Sequence, residues 1–230
     1  MLQSLDRINN RLNRILQLVY LNFLWGGLVI AGLGVFTFGP ATYAMVAVIR
    51  KQLRSEESFP LTKTYFAYFK ESYRETLFMS WIYGIVGVIL FVDLSFVHNW
   101  YLRMALLAVA FLYLLSALYI FPIMAHYNWK GYFFKIKMAF LFGFSQLHYS
   151  LVLMVSLAGI YLVIFQIMPG VLTFMGGSFF FFAVTWTANQ IFYRLEWKNS
   201  YIEKTEENKK IIQLVKEKIY EKSNARKIRS

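Results

Sequence analysis

The chain has 230 residues, of which 58% are hydrophobic and 20% aromatic, and its formal net charge is +12. Charged residues make up only 16% of it, well below the roughly 25% of soluble domains, which indicates a membrane protein. Since there is no cysteine, disulfides, thiol nucleophiles, thiolate zinc sites and iron–sulfur clusters are excluded. The basic residues flank apolar runs, a pattern that indicates membrane topology and contact with anionic lipid, and argues against nucleic-acid binding.

The first apolar run covers residues 15–49, which is too long for one membrane span and short for two. It is also too long for the apolar core of a cleavable signal peptide. Residues that end helices or permit turns interrupt it: Gly32, Gly34, Gly39 and Pro40. Pro40 suits the first turn of a new helix, where its missing N–H costs nothing. We predict a hairpin with its corner at these glycines and this proline, and with helices over about 15–33 and 36–53. The second helix has only about 15 apolar residues, or about 22 Å, so it is predicted to be a short span or a re-entrant segment.

The rest of the chain predicts one surface helix and four further spans. Over about 60–75, aromatic residues recur at helical spacing with basic residues between them, which predicts a helix in the cytoplasmic interface or one packed on the protein itself. Residues 138–193 carry no charged side chain over fifty-six positions, enough for two spans with a turn at Pro169-Gly170. The four spans are predicted over about 76–97, 104–125, 138–165 and 171–193.

Lysine and arginine predict the orientation of the chain. With the N-terminus in the cytoplasm, 23 of these residues lie on the cytoplasmic side and only Arg103 lies outside, as the positive-inside rule requires. The fold class is therefore predicted as all-α, a polytopic membrane helical bundle of six membrane segments with cytoplasmic N and C termini. Residues 1–200 are predicted to form this single bundle, and residues 201–230 a basic amphipathic tail in the cytoplasm.

Polar residues at predicted membrane depth are few. Gln146 and His148 lie in the fifth segment, His148 about 16 Å from its start, and Asn189 and Gln190 approach the end of the sixth. Such residues either line a path for a small solute or form hydrogen bonds between helices worth about 0.6–2 kcal/mol each. The bonding role is the favoured interpretation, and the path remains the alternative. Asp93 is interpreted as an acid at headgroup depth rather than a cation site.

The sequence offers no catalytic constellation. It contains no nucleophile elbow, no zinc-binding HExxH and no phosphate-binding loop. The three histidines, His98, His126 and His148, lack the spacing of metal ligands. We therefore expect no enzymatic activity, no cofactor and no metal.

Two motifs in the N-terminal half resemble the YesL-like family of bacterial integral membrane proteins, a domain of unknown function. They are Asn22-x-x-Trp25 and Thr37-x-Gly39-Pro40, followed by Arg50-Lys51 and, further along, Tyr119-Ile120-Phe121-Pro122. The resemblance covers roughly residues 5–200 and implies a multi-pass protein of the bacterial plasma membrane. Members are often encoded beside genes for carbohydrate uptake and polysaccharide degradation, which implies a role in sugar utilisation. The family supplies no catalytic residue to carry over.

The motif residues themselves are expected to be structural. Asn22 can form a hydrogen bond with a neighbouring helix, Trp25 offers a large packing surface, and Gly39-Pro40 suits a hairpin corner. We predict a non-catalytic accessory protein, a partner of a carbohydrate ABC importer, in contact with the lipid bilayer and with anionic lipid at its cytoplasmic face. The alternative is a small transporter or channel whose polar path lies near His148.

Overall fold

A computed structural model describes residues 2–55, 59–127, 129 and 131–197, with side-chain environments from residue 12 onward. Every regular element in this part of the chain is a helix. The bounds are α1 Leu2–Ala31, α2 Phe38–Arg54, α3 Leu61–Glu71, α4 Tyr73–Phe96, α5 Trp100–His126, α6 Tyr132–Ser145, α7 Leu147–Ile167 and α8 Pro169–Trp197.

The chain divides into two compact units, residues 1–189 and residues 190–230. The first unit contains α1 to α7 and most of α8. The second is described only over 190–197, the last turns of α8. The predicted tail, 201–230, lies outside the described residues.

Among the described residues, five helices are long and apolar enough to cross a membrane, so the architecture is that of a multi-pass helical membrane protein. They are Leu12–Ala31, Tyr73–Phe96, Trp100–His126, Leu147–Ile167 and Pro169–Trp197. The helix α2 has 17 residues, about 25 Å, and is not one of the five. The count of six membrane segments and the cytoplasmic termini stay predictions.

The helices α1 and α2 form an antiparallel hairpin. The Gln52 amide donates a hydrogen bond to the side chain of Gln17 over 3.0 Å, and the Thr37 hydroxyl donates to the carbonyl of Leu28 over 2.8 Å. Residue numbers rise along α1 as they fall along α2, so the chain turns back along its own first helix.

The corner of this hairpin precedes the predicted Gly39-Pro40. It covers residues 32–37, where Leu33 and Gly34 have positive φ angles of 54° and 72°. Two consecutive left-handed residues reverse the chain directly after α1. Gly39 and Pro40 lie in the first turn of α2. This is the position predicted for Pro40, because its missing N–H costs no helical hydrogen bond there.

Protein surrounds α2 on most sides. Ten of its 17 residues are buried, and it contacts α1, α3, α4 and α5. A core cluster is formed by Leu21, Ala44, Met45, Val48, Ile49 and Tyr65. A helix that packs on neighbours around most of its circumference is expected to be apolar on several faces. This burial also fits a short segment whose ends must not meet lipid.

The helix α3 packs on α2, which was one of the two alternatives for this amphipathic stretch. Tyr65 is fully buried, and its hydroxyl donates a hydrogen bond to the carbonyl of Ala41 over 2.9 Å. Burial raises the pKa of Tyr65, which keeps the hydroxyl protonated as a donor. The opposite side of α3 exposes Lys63, Phe66 and Lys70, a composition suited to a membrane interface.

The uncharged region forms three helices rather than two. Between α6 and α7 the backbone departs from helical geometry at Gln146. Before this break, Gly143 lies against α5, since a Cβ there would be 3.0 Å from the carbonyl oxygen of Leu115. Further on, α7 and α8 pack together through Leu153, Leu157 and Val184, separated by a single non-helical residue, Met168.

Candidate functional site

The motif asparagine connects α1 with α8. Asn22 is buried; its Nδ2 donates to the carbonyl of Thr173 over 3.1 Å, and its Oδ1 accepts from the N–H of Ser178 over 3.0 Å. Both partners are backbone groups, so the side chain fixes the two helices in register. Gly177 permits this approach, because a Cβ there would lie 2.8 Å from the Asn22 Oδ1.

The motif tryptophan connects α1 with both α2 and α8. The indole N–H of Trp25 donates to the hydroxyl of Thr42 over 3.1 Å. Its ring packs edge-to-face with Phe38 and Phe181 at centroid distances of 6.1 and 5.9 Å. One large side chain thus supplies a hydrogen bond and two aromatic contacts at the start of α2, an arrangement typical of buried tryptophan.

Gly39 allows α2 and α4 to come into backbone contact. A Cβ at this position would lie 2.5 Å from the carbonyl oxygen of Thr76 and would overlap the side chain of Ser80. Pro40, the next residue, is also buried. We call the contacts of Asn22, Trp25, Gly39 and Pro40 the motif junction, where α1, α2, α4 and α8 meet.

A cavity of about 370 Å³ lies beside the motif junction. It is bounded by α2, α4, α5 and α8, and it shares Phe38, Thr42 and Phe181 with the contacts of Trp25. Most of its other lining residues are aliphatic or aromatic, among them Leu114, Leu118, Ile120, Phe180 and Val184. The cavity falls within the size range of small-ligand pockets, about 300–1,000 Å³, and its walls suit an apolar group.

The hydroxyls around this cavity are largely engaged within the protein. Tyr83 forms a hydrogen bond of 2.6 Å with Ser116, and Tyr113 donates to the Tyr83 carbonyl over 2.8 Å. Thr42 accepts from Trp25. The residues that line the cavity include no histidine, carboxylate, lysine or arginine.

The four residues of the predicted polar cluster have different environments. His148 is exposed on α7 and packs edge-to-face with the ring of Tyr149, while Gln146 occupies the break between α6 and α7. Asn189 is buried on α8, and its Oδ1 has no hydrogen-bond partner in the described structure. Gln190 is exposed and belongs to the second unit. The cavity beside the motif junction is lined by none of the four.

A buried ion pair is the feature that sequence reasoning missed. The ammonium group of Lys135 on α6 binds the carboxylate of Glu75 on α4. The lysine side chain is only 4% exposed, against 35% for the glutamate. Glu75 directly precedes one uncharged run and Lys135 lies three residues before another, where charges are ordinarily solvated. The two residues are 60 positions apart in the sequence, so only their contact between α4 and α6 distinguishes them.

The remaining candidates have simpler environments. Asp93 and Arg103 are both exposed, on either side of the α4–α5 connection. The ring nitrogen Nδ1 of His98 lies 2.7 Å from the carbonyl of Phe96. In the portion of the chain that the structure describes, no three histidine, cysteine, aspartate or glutamate residues are grouped as metal ligands would be.

Comparison with known proteins shows which family this chain is similar to. Residues 18–94 match the family described as a protein of unknown function, DUF624. The uncharacterized protein YesL of Bacillus subtilis is 27% identical over 175 residues, covering 74% of this chain and 82% of YesL. The predicted resemblance to the YesL-like family is confirmed.

Two further proteins similar to this chain come from the same organism. The uncharacterized protein YteU of Bacillus subtilis is 28% identical, covering 76% of this chain and 80% of YteU. The uncharacterized protein YesV is 25% identical, covering 72% of this chain and 82% of YesV. No solved structure matches the chain. The DUF624 match includes α2, α3 and all four residues of the motif junction.

Proposed function

We propose that this YesL-like protein is a non-catalytic accessory protein of the bacterial plasma membrane, and that it assists a carbohydrate ABC importer. The proposal rests on the family resemblance, with its association with sugar-utilisation genes, and on the chemistry of the interior. It assigns the protein a binding role toward another membrane protein, with no cofactor and no metal.

The apolar cavity beside the motif junction is the observation that carries the non-catalytic part. Tyr83, Tyr113 and Thr42 bring hydroxyls to it, and each is engaged in a hydrogen bond with the protein. A path for sugars or ions would need polar groups free to replace water around the solute. A largely apolar cavity of this kind favours a protein that acts through its outer surface.

The outer surface of the helices offers area for a membrane partner. In the apolar stretch of α4 that could cross a membrane, only 6% is buried within the chain. The corresponding buried share in α7 is 17%. Large side chains such as Phe91 and Val155 are 73% and 71% exposed. Within a bilayer these faces meet lipid or the helices of another protein.

Photo-crosslinking in native membranes tests the partnership. A benzoylphenylalanine residue is placed at Phe91 or Val155 on the exposed faces, and at the fully buried Met79 as a matched control. We expect at least one exposed position to form an adduct with a transmembrane subunit of a carbohydrate ABC importer, while Met79 forms none. Adducts with lipid alone from both exposed positions, or importer adducts equally strong from Met79, would contradict the proposal.

The second candidate function is a small transporter or channel with a path near His148. The buried Asn189 favours it, because an unsatisfied amide oxygen at membrane depth is costly unless water or a solute reaches it. Purified protein in liposomes should then carry labelled oligosaccharides. Replacing Asn189 by Leu should abolish that flux, whereas Gly26→Ala should leave it unchanged. Absence of flux in the unaltered protein would remove this candidate.

A further inference from the structure

A second cavity, of different chemistry, lies at the C-terminal end of α2. Its volume is about 300 Å³, and three cationic side chains line it: Arg50, Lys51 and Arg54. Hydroxyl-bearing side chains complete its polar wall: Tyr43, Ser55 and Tyr68. The lining includes no carboxylate. We call this cavity the basic pocket.

Arg50 is held in a fixed position at the wall of the basic pocket. Its Nη1 donates a hydrogen bond to the carbonyl of Ala125 over 2.6 Å, and its Nη2 lies 2.9 Å from Nδ1 of His126. A guanidinium group can only donate, so the imidazole Nδ1 accepts. The end of α5 therefore orients the arginine, which lowers the entropy that a ligand would otherwise have to remove.

A second guanidinium group approaches the same imidazole. Nη2 of Arg54 lies 3.5 Å from Nδ1 of His126, so two cationic groups are close to one neutral ring nitrogen. Lys51 lies between them in sequence, and its ammonium group is 4.6 Å from the centre of the Phe59 ring. All three cationic side chains line the basic pocket. Glu56 and Glu57, the next acids along the chain, lie outside the described residues.

The helix end alone accounts for only part of this arrangement. Basic residues in the last turn complement the negative end of a helix dipole, and Lys51 and Arg54 occupy that turn of α2. The dipole does not account for the side chains of Tyr43 and Tyr68, which belong to two different helices and line the same cavity. Guanidinium, ammonium and hydroxyl donors together form the set that binds phosphate oxygens.

We propose that the basic pocket binds a phosphate group carried by a phosphoester, with Arg50 as the anchored donor and Lys51 and Arg54 as the charges that secure it. The phosphate comes either from the headgroup of an anionic lipid or from a soluble phosphate ester. The proposal is independent of the importer partnership, because it concerns a ligand of this chain alone.

Calorimetric titration of the full-length protein in a neutral detergent tests the basic pocket without a charged membrane surface. The probes are dihexanoyl phosphatidylglycerol, dihexanoyl phosphatidylcholine and inorganic phosphate. We expect saturable binding of the glycerol lipid or of inorganic phosphate, weakened roughly a hundredfold by Lys51→Gln/Arg54→Gln, since each charge-assisted hydrogen bond contributes roughly a factor of ten or more.

A matched control removes the same charge elsewhere. Lys63→Gln/Lys70→Gln takes two cations from the exposed side of α3 and should change the affinity by less than about threefold, as expected for solvated charges outside a site. A charge-preserving exchange, Lys51→Arg/Arg54→Lys, should retain most of the binding. Gel filtration and thermal unfolding establish that each variant is folded.

The titrations distinguish the two sources of phosphate from each other, and both from the failure of the proposal. Binding of phosphatidylglycerol without inorganic phosphate assigns the basic pocket to a lipid headgroup, and binding of both at similar strength assigns it to soluble phosphate esters. Equal losses in the two glutamine double variants would overturn the proposal in favour of diffuse charge. Absence of saturable binding by the unaltered protein, or equal affinity for phosphatidylcholine and phosphatidylglycerol with no effect of the pocket variant, would also overturn it.

Discussion

Gly39 shows how one residue of the family motif acts through its lack of a side chain. It stands where α2 meets α4, and a Cβ there would lie 2.5 Å from the carbonyl oxygen of Thr76. The neighbouring atom belongs to the backbone of a helix, so it cannot move aside without displacing α4. Gly26 on α1 provides the contrast, because no atom lies within 4 Å of the Cβ it would carry.

The expected result follows from this difference. Gly39→Ala should destabilise the protein by about 1–3 kcal/mol through overpacking. Gly26→Ala should be neutral or stabilise it by up to about 1 kcal/mol, since alanine is the better helix former. Thermal unfolding of both variants in detergent, followed by circular dichroism, measures the difference. Equal stability of the two variants would contradict the close contact between α2 and α4.

Asn22 acts through its side chain, in contrast to Gly39. Its amide donates one hydrogen bond to the backbone of α8 and accepts another from it. Asn22→Ala should cost about 1–3 kcal/mol, because hydrogen bonds between membrane helices average about 0.6 kcal/mol each and reach about 1.7. The control is Tyr20→Phe, which removes an exposed hydrogen bond to Thr62 and should cost no more than about 0.5 kcal/mol. The same unfolding measurement applies, and a loss no larger than that of Tyr20→Phe would count against the α1–α8 link.

At the scale of elements, the ion pair between α4 and α6 has two unequal members. Lys135 is almost fully buried, whereas Glu75 keeps about a third of its side chain exposed. Removing the glutamate leaves a buried ammonium group with no partner carboxylate. Removing the lysine leaves a carboxylate that water can reach. The cost of breaking the pair should therefore depend on which member is changed.

We expect Glu75→Gln to destabilise the protein by about 3–5 kcal/mol, and Lys135→Met to cost at least about 2 kcal/mol less. The double variant should be close to Lys135→Met alone, because no charge remains buried. Chemical unfolding of the two single variants and the double variant forms a double-mutant cycle that isolates the interaction. Equal losses in the two single variants would contradict the difference in burial.

At the scale of the whole molecule, the predicted orientation of the chain in the membrane can be tested by labelling introduced cysteines. It contains no cysteine, so a single introduced thiol reports its own accessibility. Asn99→Cys, in the exposed α4–α5 connection, should react with an impermeant maleimide in intact cells. Ser223→Cys, in the tail, should react only after permeabilisation. Labelling of both positions in intact cells would contradict a cytoplasmic C-terminus.

The sequence by itself determined the class of the protein and most of its helices. The absence of charge over residues 138–193 predicted membrane helices, because burying an ionised side chain in lipid is too costly. The glycines and proline after residue 31 predicted a reversal of the chain, and the hydrogen bonds between α1 and α2 show that the two helices are antiparallel. The motif residues Asn22 and Trp25 were expected to act as a hydrogen-bonding group and a packing group, because their chemistry offers few other roles in an apolar helix.

Only the tertiary structure decided which faces are covered and which distant residues meet. Hydropathy measures the free energy of moving a side chain out of water. That free energy is the same whether the side chain then contacts lipid or another helix. The burial of α2 could therefore not be predicted from its composition. Two contacts join residues far apart in the sequence: the Glu75–Lys135 pair, and the approach of Arg50 and Arg54 to His126, up to 76 positions away. Local patterns extend over a few turns of helix, and these contacts exist only once the helices are packed.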